Sequence, residues 1–411
     1  MNSDAHTGAY SAEEIQSWDQ RTSMRPAPYR FAMARPAKGL NVADPLMARV
    51  PTSELVCHGK TSPNLPRDPE PDWVDWDLVE RGQAVWKEQV ARSFAGLGLA
   101  LLSGFSIARF AEILFVNGYA KSGETAMQRY RATGFYVTDF YRSSLRDPKS
   151  KARRGIANVR AMHEWARRRS KKIFDQTKGE GVALCQLDMA EVQLGFSGIC
   201  MEIIERDFGA GPISQEDAEA MAHCWRLIGY HLGIMDEYNV CRSLEDLRAC
   251  VDDFMAFTPR RFQTMRPATA ELRRTAMEGF GMETGLGTGF WHGLFLTYLH
   301  SAQYDLKQLT PEVVVHPGMG IVAHLYIQLF RFDTISAVMG RILLADRDAY
   351  EKDPDTAKRK AALRKSLARF HDVFVWRFTG MLYILRHLLL VLGLWRILRR
   401  AWRARLSFRQ R

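Results

Sequence analysis

From Trp73 onward the apolar residues recur three and four apart and almost never alternate. This period constrains the fold more than any other feature of the chain, because it puts a continuous apolar stripe on a helix and scatters it on a strand. Met189, Val192, Phe196, Ile199 and Ile203 form one stripe behind Asp188 and Glu191, read as a box that opens a helix, and "FGAGP" at 208–212 stops it. Ser214, with Glu216 and Asp217 in the first turn, opens a second helix running through Trp225, Ile228, Leu232 and Met235. Ser243 and Asp246 open a third, with Leu244, Leu247, Val251 and Phe254 on one face and Pro259 just past its end. Thr310–Pro311–Glu312 is a further start signal. The best strand pattern, "EVVVH" at 312–316, is short, and no longer repeat is present. The expected fold class is all-α: a single large helical domain over 72–375.

The flanks read differently. Nine of the sixteen prolines lie between Pro26 and Pro71, so 1–71 is expected to be an extended or partly disordered arm. The end, 376–411, is apolar and then basic: "MLYILRHLLLVLGLWRILRRAWRARLSF". Arg386 and His387 leave eight uninterrupted apolar residues, Leu388 to Trp395, where a membrane span needs ~20. Two readings remain: an interfacial helix, with Trp395 and Trp402 at the headgroups and arginines on anionic lipid, or a last bundle helix with a solvated basic end. The first implies peripheral membrane contact.

Net charge is +11, but residues 396–411 carry seven arginines and no acid, and without them the remaining 395 residues carry +4. The basicity is therefore a terminal device and not the spread-out footprint of a nucleic-acid binder. Of six cysteines none forms a CxxC, which supports neither a zinc site nor a disulfide framework. The first thirty residues lack a secretory pattern, so the expected location is cytoplasmic, at the cytoplasmic membrane surface.

"NVRAMHEWARRRS", 158–170, sets one histidine among arginines in a helical stretch whose start signal is Asp147–Pro148. At ~100° per residue, Ile156, Val159, Arg160, Ala166, Arg167 and Ser170 share the face of His163, so the imidazole points inward between two guanidiniums. Arg168 and Arg169 project elsewhere. Burying such a cluster costs free energy unless anions meet it. One reading is a hydrogen-bonded core histidine whose arginines are solvated or paired with acids. The other is a haem ligand, with iron on the imidazole and propionates on the arginines. His231 is the second choice of ligand.

The run Arg160-x-x-His163-x-x-x-Arg167 follows Arg129-x-x-x-Thr133 in "QRYRATGF". Together with "WVDWDLVERGQ" at 73–83 and "HCWRLIGYHLGIMDEYNVC" at 223–241, it resembles the MpaB/rubber-oxygenase (latex-clearing protein) catalytic domain, over about residues 70 to 260. The resemblance implies an all-α domain with haem b, His163 as proximal iron ligand, Arg160 and Arg167 lining the haem, and Arg129 and Thr133 near its catalytic pocket. It implies O2 as co-substrate and cleavage of a carbon–carbon double bond in an apolar, isoprenoid or lipid-like substrate, which a membrane-associated tail would help to collect. Rubber oxygenases carry a lysine where this chain has Ala132, and Glu112 falls one residue from the position of the family's pocket glutamate, so rubber itself is the less expected substrate. The alternative is a catalytically inactive, membrane-associated helical protein that keeps the fold.

Other constellations are weaker. "EGFGMETGLGTGFWHG" at 278–293 has no preceding strand and no Gly-Lys-Ser/Thr, so it reads as a flexible loop or lid and not as a phosphate loop. His223 and His231 are eight residues apart, as are His316 and His324, which is too far round a helix for comfortable chelation. No Gly-x-Ser-x-Gly elbow occurs.

Overall fold

The computed structural model describes residues 70–301 and 326–373 apart from short gaps, the longest of them 171–182, together with a few helical residues beyond. No strand occurs among the described residues, and the chain is all-α. In order the helices are α1 (Trp76–Glu88), α2 (Val90–Gly104), α3 (Gly123–Arg142), α4 (Lys151–Ser170), α5 (Gln186–Leu194) and α6 (Cys200–Ile203). They continue as α7 (Gln215–Leu232), α8 (Leu244–Gln263), α9 (Pro267–Thr284), α10 (Gly287–Ser301) and α11 (Asp333–Lys352). A last helical stretch, α12, covers 358–373. Among the described residues no helix is long and apolar enough to cross a membrane.

Local chemistry sets the ends. Asp75 begins α1 by accepting from the N–H groups of Asp77 and Leu78, and its own N–H donates to His223 Nε2 at 2.9 Å. The start of α1 is thereby fastened to α7. Ser214 caps α7 by accepting from the Asp217 N–H, as its spacing predicts. That helix ends at Gly233, whose φ of +99° is open to glycine and strained for any residue with a Cβ.

Close packing then depends on small residues. A Cβ at Gly82 of α1 would lie 2.3 Å from the Ala220 carbonyl oxygen of α7, so those two backbones meet directly. Gly279 of α9 lies against the Met127 N–H of α3 in the same way, and a Cβ at Gly155 of α4 would come within 3.2 Å of Tyr136 on α3. Around these contacts Trp86, Leu99, Phe105, Phe208, Phe254 and Tyr298 are fully buried, each worth about 1.5–3 kcal/mol in removal of apolar surface from water.

Several sequence expectations change. Asp188 is the third residue of α5 and not its cap: its carboxylate reaches back to accept from the Cys185 N–H at 2.9 Å. The stripe from Met189 to Ile203 passes through a π turn at Gly195–Ile199, and a second follows at Ile204–Phe208, each shifting the register of the apolar face. Pro259 lies inside α8, where burial of Cys250 and Phe254 outweighs the loss of one backbone donor. The α4 helix begins at Lys151, with Ser150 Oγ accepting from the Arg153 N–H, three residues after Pro148. The glycine-rich 278–293 is no loop: it is the end of α9 and the start of α10, joined at Gly285 (φ +76°). Its glycines permit close approach, since a Cβ on Gly281 would meet the Gly287 carbonyl carbon at 2.5 Å. The arm at 1–69, the stretch 312–316, Glu112, Thr310, His316 and His324 lie outside the described residues.

Replacing Gly82 by valine is expected to lower stability by about 1–3 kcal/mol, read as a lower urea midpoint at unchanged slope. Gly195→Ala, where an added methyl meets nothing within 4 Å, is expected to move it little.

Candidate cofactor site

The α4 face predicted to point inward does so. Ile156 and Ser170 are buried, Val159 and Ala166 half-buried, and Ser170 Oγ accepts from Asn117 Nδ2 at 3.2 Å. Arg168 and Arg169 are exposed, the first paired with Glu164 and the second stacked over Trp165.

His163 lies at the centre of this face. Its Nδ1 is shielded from solvent, and the ring makes no hydrogen bond to any described residue. Burial pushes its pKa down from 6.5 to about 4, and the charges of Arg167, Arg129 and Arg160 push the same way. The imidazole is therefore neutral at physiological pH, with a lone pair available, and three guanidiniums from two helices converge on it. A core histidine would be expected to carry a hydrogen bond.

Each arginine is held differently. Arg167 is only 4% exposed; one arm binds the Glu164 carboxylate, another donates to the Leu184 carbonyl at 3.0 Å, and its Nε is shielded without an acceptor. Leu184 has φ +55°, a left-handed conformation that costs a side-chain-bearing residue on the order of 1 kcal/mol. Arg167 thus clamps the strained residue that precedes α5. Arg160 donates to the His231 carbonyl at 3.2 Å, and burial and Arg167 lower its pKa. Arg129 projects from α3 beside Tyr130, and Thr133, one turn on, donates to the Arg129 carbonyl at 3.2 Å. Ala132 is exposed. The sequence candidates Arg129, Arg160, His163 and Arg167 are thereby brought together, with Thr133 one helical turn from Arg129.

His231 occupies a different environment. Its Nε2 lies 2.6 Å from Arg153 Nη1 and 3.2 Å from Glu70 Oε2, and Arg153 also binds Glu70 Oε1 at 2.7 Å. This ring nitrogen is committed to its neighbours, which makes His231 a link between α7, α4 and residue 70, a poorer ligand than His163.

Two participants escaped the reading of the residues. Glu164 partners Arg167, a signal present in the i,i+3 spacing. Tyr130 points a shielded, unpartnered hydroxyl into the packing of α3 on α9 beside Phe280, and burial raises its pKa to about 12. Only its place three residues before Thr133 hints at it.

A neutral unpartnered nitrogen donor beside cations that can receive carboxylates is a donor set that fits a haem, its iron taking the imidazole and its propionates the arginines. Residues 88–309 match the catalytic domain described as ER-bound oxygenase mpaB/B'/Rubber oxygenase. The chain belongs to this oxygenase family. The matched span covers more than half the chain and contains all five candidate residues. Among solved structures, latex clearing protein LCP in its closed state is similar at 16% identity and a TM-score of 0.46, over 81% of this chain and 86% of that one. No curated protein sequence matches the chain. A cleft of about 410 Å³ lies elsewhere: Trp76, Gln83, Lys87, Tyr141 and Arg146 are among the residues that line it, and none comes from α4.

Because Arg153, Arg160 and burial hold His231 at about 3, below its ordinary 6.5, the unfolded chain binds a proton there that the folded chain refuses. Stability from this group is complete above pH 6.5 and is lost as pH falls toward 3, at about 1.4 kcal/mol per unit. Urea unfolding of His231→Gln is expected to show a shallower acid loss than the parent chain. An equal slope would mean that the imidazole is protonated in the fold.

Proposed function

We propose that the chain is a haem b oxygenase that uses O2 on an apolar, isoprenoid or lipid-like substrate, with His163 as the iron ligand. The observation that carries this reading is the neutral, unpartnered His163 imidazole ringed by Arg129, Arg160 and Arg167. Among the described residues no three His, Cys, Asp or Glu side chains gather as a metal-ligand set, so an iron held at His163 would need a porphyrin to supply its remaining ligands. Family membership supports oxygenase chemistry, and the isoprenoid substrate class is suggested by the rubber oxygenases and latex clearing protein that the chain is similar to.

When bound, the haem supplies the activation of O2. The protein's part is positional and electrostatic. Burial and the three cations keep the proton off His163, so its lone pair stays available as acidity rises to about pH 4. Arg160 and Arg167 would receive the propionates, replacing part of the charge repulsion that their closeness creates. Arg129 and Thr133 would lie near the haem pocket. The Thr133 hydroxyl donates to the Arg129 carbonyl, and Ala132 offers no base beside it. The shielded Tyr130 hydroxyl is too weak an acid to lose its proton near neutrality, and is suited only to donating a hydrogen bond.

Haem titration of the purified chain is expected to produce a Soret band that shifts on reduction. His163→Ala should abolish the band while leaving the helical signal and thermal unfolding intact. Arg160→Gln should weaken haem binding about tenfold, equivalent to one charge-assisted hydrogen bond of ~1.4 kcal/mol. An unchanged spectrum in His163→Ala would discard the ligand assignment, and a parent chain that takes up no haem would leave the inactive, fold-retaining reading.

A further inference from the structure

Large apolar side chains exposed among the described residues are concentrated in one place: all but Met162 and Trp165 fall between residues 329 and 388. This region lies outside the matched domain at 88–309. It is built as an antiparallel pair, α11 and α12, laid on the body by polar contacts. On α11, Ser336 is buried, Gly340 sits against Val90, and Arg347 binds Asp139 of α3. On α12, Ala368 is buried and the Asp372 carboxylate accepts from the Thr288 and Gly289 N–H groups at the start of α10. Lys360 and Arg364 bind Asp346, which sets the two helices side by side.

With those faces spoken for, the opposite sides are apolar. Ile335, Val338 and Ile342 recur at helical spacing on α11, and Leu363, Leu367, Phe370 and Val373 on α12. On each helix the order around the axis is apolar stripe, neighbouring helix, body, so the two stripes look outward together. Met381, Ile384 and Leu388 are helical and exposed as well. A monomeric soluble protein rarely leaves so extended an apolar surface in water; Phe370 is 68% exposed and Leu363 61%.

We infer that the outer face of this helical pair docks on a bilayer surface that carries anionic lipid. Charge identifies the occupant. Residues 396–411, which follow in the chain, carry seven arginines and no acid, while on the pair itself Asp346 is tied to Lys360 and Arg364, Asp348 to Arg142, and Glu351 to Lys151 and Arg347. An apolar face followed in the chain by a run of arginines matches acyl chains below and anionic headgroups above. A second copy would set seven more cations of the same sign against this end. The inference does not depend on haem at His163.

The test is sedimentation of the full-length chain with phosphatidylcholine vesicles, with and without phosphatidylglycerol. Binding is expected only with the anionic lipid and should weaken with salt. The double variants Val338→Glu/Ile342→Glu on α11 and Leu363→Glu/Phe370→Glu on α12 should each reduce binding at least about tenfold, with circular dichroism and thermal unfolding unchanged because these side chains are exposed. Three outcomes would overturn the inference: no binding to either vesicle, binding that both variants leave intact (which would assign it to the tail alone), or a dimer of the parent chain in light scattering that the same variants dissociate.

Discussion

A guanidinium buried at the end of a helix has to be met by oxygens, and Arg167 is met by Glu164 and the Leu184 carbonyl. Much of the candidate site follows from that requirement. The clamp fixes the last turn of α4, holds Leu184 in its left-handed conformation ahead of α5, and leaves a positive charge beside His163. The charge and the burial together keep the imidazole neutral. Removing the oxygens would leave an uncompensated buried cation, which is among the most costly defects a fold can carry.

That arrangement depends in turn on how closely α3 and α4 approach. Gly155 lets α4 lie against Tyr136 and Phe140 of α3, and this proximity brings Arg129 within electrostatic range of His163 although they are on different helices. The same device recurs at Gly82 between α1 and α7 and at Gly279 between α9 and α3. The helices are therefore joined at backbone distance, and the chemistry-bearing side chains occupy the spaces that remain. The α7 end adds a second polar knot, in which Arg153 binds both the His231 ring and Glu70, and Arg160 binds the His231 carbonyl.

Two surfaces thus divide the work. The α4 face gathers cations around an unpartnered donor in the matched domain. The α11–α12 pair, held on by Asp346, Arg347 and Asp372, turns its apolar residues outward. If the substrate is an apolar chain dissolved in lipid, the two would serve one purpose, collection at the bilayer and oxidation within the bundle.

Period and capping were readable directly. The stripe behind Ser214 determined α7 apart from its end, which falls at Gly233 and not beyond Met235; the 3.6-residue repeat determined the all-α class, and the spacing around His163 determined which side of α4 turns inward. These are properties of a single helix, set by geometry within a few turns. Other features depend on partners distant in the chain. Pro259 lies within a helix that buries Phe254 and Thr258 ahead of it, and the glycines at 278–293 form a tight helical corner because two backbones meet there. Asp188 acts as a third helical residue because Cys185 supplies the N–H behind it. Whether His163 had a hydrogen-bond partner, which arginines stood around it, and that His231 was already committed were decided only by the tertiary structure, because desolvation and charge act through space and not along the sequence.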